Sequence, residues 1–289
     1  MPDHASRVPA PAPLSLAAGS GARSRRRARR RPLGRAWSEA LKGGASIAGG
    51  IVLWQLVFDL FIKHSIFVAS PAQIVRAFLL LAPSGELWLH LRTSGVEFLN
   101  GYLLAVAVGI PVGALMVANA RLNNWLTPWI AFIYSTPRVA VAPLLIVWFG
   151  IGLWSKALIV FLGAVFPVIL NTYTGVTQVP LNYLEVVRSL GGSRPQLFIK
   201  VLLPAALPTI MTGLRLAVGR GVIGVVVAEW YGANAGLGYL VYFSAQVFQP
   251  APIYLAIFFL VLFGYGAFAL LGFVQRRLAP WHTQRLEAS

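Results

Sequence analysis

The stretch EVVRSLGGSRPQLFIKVLLP, residues 185–204, is polar, basic and broken by two glycines, yet it lies between two long apolar segments. Its local signals are helical. Residues 183–190 read as a short helix closed by Gly191 or Gly192, because glycine takes the left-handed conformation that commonly ends one. Ser193 and Gln196 form a Ser-x-x-Gln capping box, and Pro195 in the first turn withholds a donor that would have had no partner. Leu197, Phe198, Val201 and Leu202 then share one face of a second helix, which Pro204 is expected to end. The expectation is helix, glycine bend, helix, with Glu185, Arg188, Arg194 and Lys200 rimming an apolar stripe. Geometry alone also fits an amphipathic linker resting on a membrane surface.

The surroundings of this stretch set the fold class. The chain has 289 residues, 57% hydrophobic and 11% charged, whereas a water-soluble domain carries about a quarter charged residues. Apolar blocks at 43–62, 96–118, 125–149, 155–175, 207–230 and 253–274 are each close to the roughly 20 residues that cross a hydrocarbon core. We therefore expect an all-α, polytopic membrane protein of about six transmembrane helices, its transmembrane domain covering residues 43–275. The first block is longer than a signal-peptide core and reads as an uncleaved anchor. Between the first two blocks, SPAQIVRAFLLLA (70–82) predicts a short interfacial helix on the outer face.

Charge orients the chain. Nine of the 24 basic residues fall in residues 22–42, which makes 1–42 a disordered basic arm facing the cytoplasm and its anionic membrane lipid. No aromatic residue is interleaved with those arginines before Trp37, which argues for no nucleic acid. Six crossings bring both termini to the cytoplasmic side, with a tail at 276–289. The loop at 120–124, the stretch 177–206 and the tail then lie inside, and they carry Arg121, Arg188, Arg194, Lys200, Arg276, Arg277 and Arg285. Outer segments carry fewer: Lys63, Arg76, Arg92 and Lys156.

Catalytic chemistry is not legible. There is no cysteine, and His4, His64, His90 and His282 have no metal-ligand spacing to one another. No G-x-x-x-x-G-K-[ST] nucleotide cradle occurs, and the short glycine pairs at Gly150 and Gly236 read as loop turns. All four histidines fall outside the expected spans, which leaves an intramembrane serine hydrolase without its base. Catalytic, cofactor and metal sites are therefore expected to be none, with any chemistry supplied by another subunit.

A translocation path is sought where charge and broken backbone meet. Residues 125–149 contain Pro128, Pro137 and Pro143, each expected to interrupt the helical ladder, with Arg138 near the middle. Irregular backbone and a charge at that depth are tolerated only against protein or a cavity. Arg215 and Arg220 lie five residues apart in the fifth block, with Glu229 near its outer end, and a helix-packing ion pair among them is expected. Gly213, Ala217, Gly219, Gly221 and Gly224 allow close helix approach and mark this block for pore lining or a dimer seam.

The spacing E-x(5)-G-x(9)-V-x-L-P in the opening stretch resembles the EAA motif of ABC-importer permeases. Glu185, Gly191, Val201, Leu203 and Pro204 take the motif's positions; Val186 and Val187 stand for its two alanines and Val201 for its isoleucine. Over residues 70–239 the chain resembles the nitrate/sulfonate/taurine branch, through YSTPRVAVAPLLIVWFGIG (134–152) and AEWYGANAGLGYL (228–240). The resemblance implies a type I ABC importer permease fold whose stretch 177–206 holds a coupling helix docked in a groove of cytoplasmic ABC ATPase subunits. It further implies hydrolysis of ATP in those subunits and not in this chain, an extracytoplasmic solute-binding protein, a second permease copy as a homodimer, and an inner-membrane location. The implied solute is nitrate, taurine, an alkanesulfonate or a related small molecule. Glu185 either pairs with a basic residue of the ATPase or caps its own helix. Arg138 either attracts an anion, pairs with Glu97 or Glu229, or snorkels to an interface. The rival reading, a stand-alone ion-driven carrier or channel, calls for membrane-embedded carboxylates; Glu97, Glu229 and Asp59 are the candidates, all toward the outer ends.

Overall fold

A computed structural model describes residues 33–62 and 67–279, apart from the side chains of residues 33–41 and of Arg138, Leu181, Arg188 and Arg194. The chain divides into two units, Met1–Gly50 and Ile51–Ser289. Helix α1 (Leu33–Val57) starts in the first and ends in the second, continued by a π-helical turn, Phe58–Ile62. Of the expected basic arm, residues 1–32 lie outside the described residues, and α1 already begins at Leu33 instead of residue 43.

The regular structure of the second unit is helical among the described residues. Helix α2 (Pro71–Leu81) starts at the expected Ser-Pro signal. Ser70 Oγ accepts from the Gln73 N–H at 3.2 Å, and Gln73 Oε1 accepts from the Ser70 N–H at 2.9 Å, a reciprocal capping box. Helix α3 (Glu86–Ala118) begins ten residues earlier than the apolar block suggested, so Arg92 and His90 belong to it and not to a loop. Asn119 caps α4 (Ala120–Ser135) by accepting from the N–H groups of Arg121 and Leu122.

The third crossing is not a single span. After α4 the chain turns at Thr136 and Pro137 into α5 (Arg138–Phe149), and the two helices are bent by 101°. Pro128 and Pro143 sit inside α4 and α5 without ending them. Only Pro137 coincides with the break: it follows a residue held extended and takes the N-cap position of α5. Helix α6 (Leu153–Thr177) follows, then α7 (Leu181–Ser189), α8 (Arg194–Leu197), α9 (Leu203–Gly232), α10 (Leu237–Gln246) and α11 (Pro250–Leu278). Residues 280–289 of the expected tail lie outside the described residues.

Among the described residues five helical stretches, Lys42–Ile62, Glu86–Ala118, Leu153–Thr177, Pro195–Gly232 and Pro250–Leu278, are long and apolar enough to cross a membrane, and the bent α4–α5 pair is a sixth only where it counts as one broken span. The core is α6, which packs along α3 on one side and α9 on the other. Val160, Ala164, Val168 and Ile169 of α6 are buried there. Close approach depends on small residues. A methyl at Gly109 or Gly113 of α3 would overlap Val168 or Thr172 of α6. The small residues of α9 are spent in the same way: Gly213 abuts Asn171, Gly224 abuts Val160, and Gly221 meets Phe98 of α3. Of the five named on that block, Gly219 faces open space, so the close-packed stripe serves contacts within the chain.

Candidate functional site

The hairpin between α6 and α9 is built as its sequence suggested up to one point. Helix α7 ends with Gly191 at φ +73°, and the Gly192 N–H donates to Val187 O at 2.9 Å, the closing bond of a left-handed helix cap. Ser193 and Gln196 then form the expected box: the Ser193 N–H donates to Gln196 Oε1 at 2.9 Å, and the Gln196 N–H to Ser193 Oγ at 3.5 Å. Pro204, however, does not end the second helix. The helical path runs from Pro195 to Gly232. The turn before the proline, Phe198–Leu202, is π-helical, and the Leu203 N–H reaches Phe198 O five residues back. The hydrogen-bond ladder is therefore already displaced where proline removes a donor, and the chain stays helical through it.

The faces of this hairpin are distributed differently from the expected stripe. Leu197, Phe198, Val201 and Leu202 are half-buried, and Leu202 and Leu203 pack against the chain's own core. Val187 and Pro204 are half-buried too, with Val187 behind the glycine bend. The exposed residues here are Tyr183, Glu185 and Val186 on α7, Leu190 just past its end with Gly191 beside it, and Ile199 and Lys200 beyond the bend. Positions 183, 186 and 190 fall one turn apart on a helix, so they form one apolar stripe. Tyr183 and Lys200 also line a cavity of about 430 Å³, together with Gln178, Val201 and Thr209.

Of the residues named for a translocation path, Arg215 and Arg220 share the lining of one groove between α9 and α11. Pro137 marks the α4–α5 bend, Pro143 lies within α5, and the side chain of Arg138 lies outside the described residues. Arg215 is half-buried with its guanidinium 5.2 Å over the Phe268 ring of α11, and Arg220 is exposed. The expected ion pair of Arg215 or Arg220 with Glu229 does not form. At 1.5 Å rise per residue, Arg220 and Arg215 lie roughly 13 and 21 Å down the helix from Glu229, and Glu229 has other partners.

Those partners form a polar cluster that the sequence reading missed. Glu229, almost fully buried, accepts from Ser94 Oγ at 2.6 Å and from the N–H groups of Gly238 at 2.5 Å and Tyr239 at 3.2 Å. Ser94 Oγ accepts in turn from the Leu237 N–H at 2.7 Å, and His90 Nδ1 accepts from the Gly236 N–H at 2.9 Å. The segment YGANAGLG is thus no free turn: its second half opens α10 and is pinned to α3 and α9. Gly236 has φ +132°, and a methyl there would fall on the Glu229 carboxylate. Beside it, Lys156 of α6 lies 2.6 Å from Glu97 of α3, both buried. His90 is therefore inside a helix, contrary to expectation, but the nearby Ser94 hydroxyl donates to Glu229 and not to it, so no serine–histidine pair results. The signal is in the sequence: Glu97, Lys156 and Glu229 each fall at the outer end of a different expected span.

The chain's relatives bear on what this architecture does. Residues 105–280 match the family described as binding-protein-dependent transport system inner membrane component. The aliphatic sulfonates transport permease protein SsuC of Bacillus subtilis is 35% identical over 252 residues, covering 87% of this chain and 91% of that one. The taurine transport system permease protein TauC of Escherichia coli is 35% identical over 245 residues, 80% and 86% of the two chains. The formylaminopyrimidine transport permease protein ThiX of Halalkalibacterium halodurans is 33% identical over 235 residues, 81% and 93%. Among solved structures, the inward-facing MetNI methionine ABC transporter aligns with a TM-score of 0.57 at 23% identity over 66% of this chain and 96% of that one. An amino acid ABC transporter aligns with a TM-score of 0.53 at 17% identity, over 73% and 100%. These two likenesses establish the fold.

Proposed function

The chain belongs to the family of binding-protein-dependent transport inner membrane components, the permease subunits of ABC importers, and on that premise we propose that it passes a small sulfonate, taurine or an alkanesulfonate, through the membrane. The solute class rests on the two relatives named for aliphatic sulfonates and taurine. Hydrolysis of ATP belongs to separate cytoplasmic subunits, the solute arrives on an external binding protein, and two copies of this chain enclose the path. The hairpin 181–204 and both termini face the cytoplasm.

The observation that carries this reading is the free face of α7. Tyr183 and Val186 on a short helix outside the expected spans, and Leu190 just past its end, are exposed apolar side chains, with Glu185 and Lys200 around them. A cytosolic helix that leaves such a stripe uncovered is matched to a groove on a partner. The hairpin joins α6 to α9, the two helices with the most extensive mutual packing, so a rigid-body closure of the partner is passed directly into the core. Such a contact biases an equilibrium between inward- and outward-open arrangements. Uptake into vesicles holding the assembled complex tests it: transport is expected to need internal ATP together with an external solute-binding protein. Uphill transport on an ion gradient alone overturns it.

A further inference from the structure

Helices α9 and α11 leave between them a groove of about 690 Å³, walled by Leu216, Val222, Ile223, Val261, Tyr265 and Phe268, with Arg215 and Arg220 on its lining. Arg215 is the unusual member. Its guanidinium is stacked on Phe268, while its Nε is buried without a hydrogen-bond partner. Across from it, a methyl placed at Gly272 of α11 would lie 3.1 Å from Arg215 Nη2 and 3.8 Å from Arg276 Nη1. Two guanidinium groups from different helices thus converge on one point. Among the described residues the carboxylate pairs are Lys156 with Glu97 and His90 with Glu86, and neither arginine has an acid within ion-pair distance. Arg215 is half-buried and Arg276 exposed, and two like charges held this close attract an anion to the point between them.

Arg276 and Arg277 occupy the last turn of α11, and basic residues at the end of an apolar span mark the membrane boundary. We propose that this groove is a binding site for an anionic phospholipid, whose phosphate lies between Arg215 and Arg276 and whose acyl chain runs along the apolar walls toward Val261. Guanidinium forks suit a phosphate because they offer paired donors in its geometry. A free phosphate accounts for the arginines but leaves the long apolar walls uncovered. A helix from this chain or a second copy covers the walls but brings no stated anion to the arginines. A phospholipid supplies both.

The complete transporter, purified in detergent, is titrated with phosphatidylglycerol or phosphatidylcholine and read by native mass spectrometry. One phosphatidylglycerol retained per permease chain is expected, with phosphatidylcholine lost under the same conditions. The double variant R215Q/R276Q is expected to weaken retention about tenfold or more, where tenfold corresponds to about 1.4 kcal/mol, while R121Q leaves it unchanged. Size-exclusion profiles and thermal melts of the variants establish that the fold persists, and R215K with Arg276 intact is expected to recover part of the retention. Equal retention of both lipids overturns the proposal, as does undiminished retention in the folded double variant. Displacement of phosphatidylglycerol by millimolar inorganic phosphate, or absence of any retained lipid, also overturns it.

Discussion

The Lys156 ammonium lies 2.6 Å from Glu97 Oε1, and this buried pair ties the start of α6 to α3 beside the cluster that holds the α9–α10 segment. Breaking a buried pair by removing one partner leaves an uncompensated charge and costs about 3–5 kcal/mol. Lys156→Met is therefore expected to lower the melting temperature of the detergent-solubilised protein sharply. Adding Glu97→Leu to it is expected to recover most of the loss, because the orphaned charge is gone. A double variant no more stable than Lys156→Met contradicts this account.

Gly236 and Gly219 make a matched pair of tests. Alanine at Gly236 meets both a left-handed backbone and the Glu229 carboxylate, whereas alanine at Gly219 meets open space in a helix. Gly236→Ala should reduce folded yield severely, and Gly219→Ala should leave it unchanged or slightly improved, since alanine favours helix by about 1 kcal/mol over glycine. Fluorescence-detected size exclusion of tagged variants reads both.

At Gly191 the positive φ is the whole of the constraint, because no atom lies within 4 Å of an added methyl. The cost of alanine there is the left-handed penalty of roughly 1–2 kcal/mol, borne by an exposed bend. We expect Gly191→Ala to be made and inserted normally while losing coupling: ATP hydrolysis by the complex should continue with uptake reduced several-fold. Unchanged uptake per ATP would show that the bend transmits nothing.

Val186→Asp places a charge in the middle of the free stripe without touching the core. The permease is expected to fold as before, and its co-purification with the ATPase subunits should fall at least tenfold. Ile199→Asp, on the exposed side beyond the bend, separates a contact confined to α7 from one that wraps the hairpin.

How much of this was readable in advance divides by range. Local signals were reliable: the Ser70 and Ser193 boxes, the Gly191 bend and the helical content all follow from groups within four residues of each other. Five of the six expected crossings follow directly from hydrophobic length, a local property, while the 101° bend within the sixth does not. Features that depend on context are less legible. Pro204 reads as a helix stop, but the π-helical turn before it has already shifted the hydrogen-bond register. Arg215 and Arg220 were assigned to Glu229, although axial distance along one helix separates them. The Glu97–Lys156 and Glu229–Ser94 contacts join residues 59 and 135 positions apart, and no periodicity within a span reveals which charges will meet.

The uninterrupted helical path from Pro195 to Gly232 has a mechanical consequence. Its 38 residues make a rod roughly 57 Å long at 1.5 Å per residue, with the hairpin at one tip and Glu229 near the other. Helix α6 lies along its middle stretch, from Ala206 beside Gly175 to Gly224 beside Val160. If the hairpin docks as proposed, the clasp of Ser94, Gly238 and Tyr239 around Glu229 sits at the far end of that rod, so a push on the hairpin would reach it through one continuous helix.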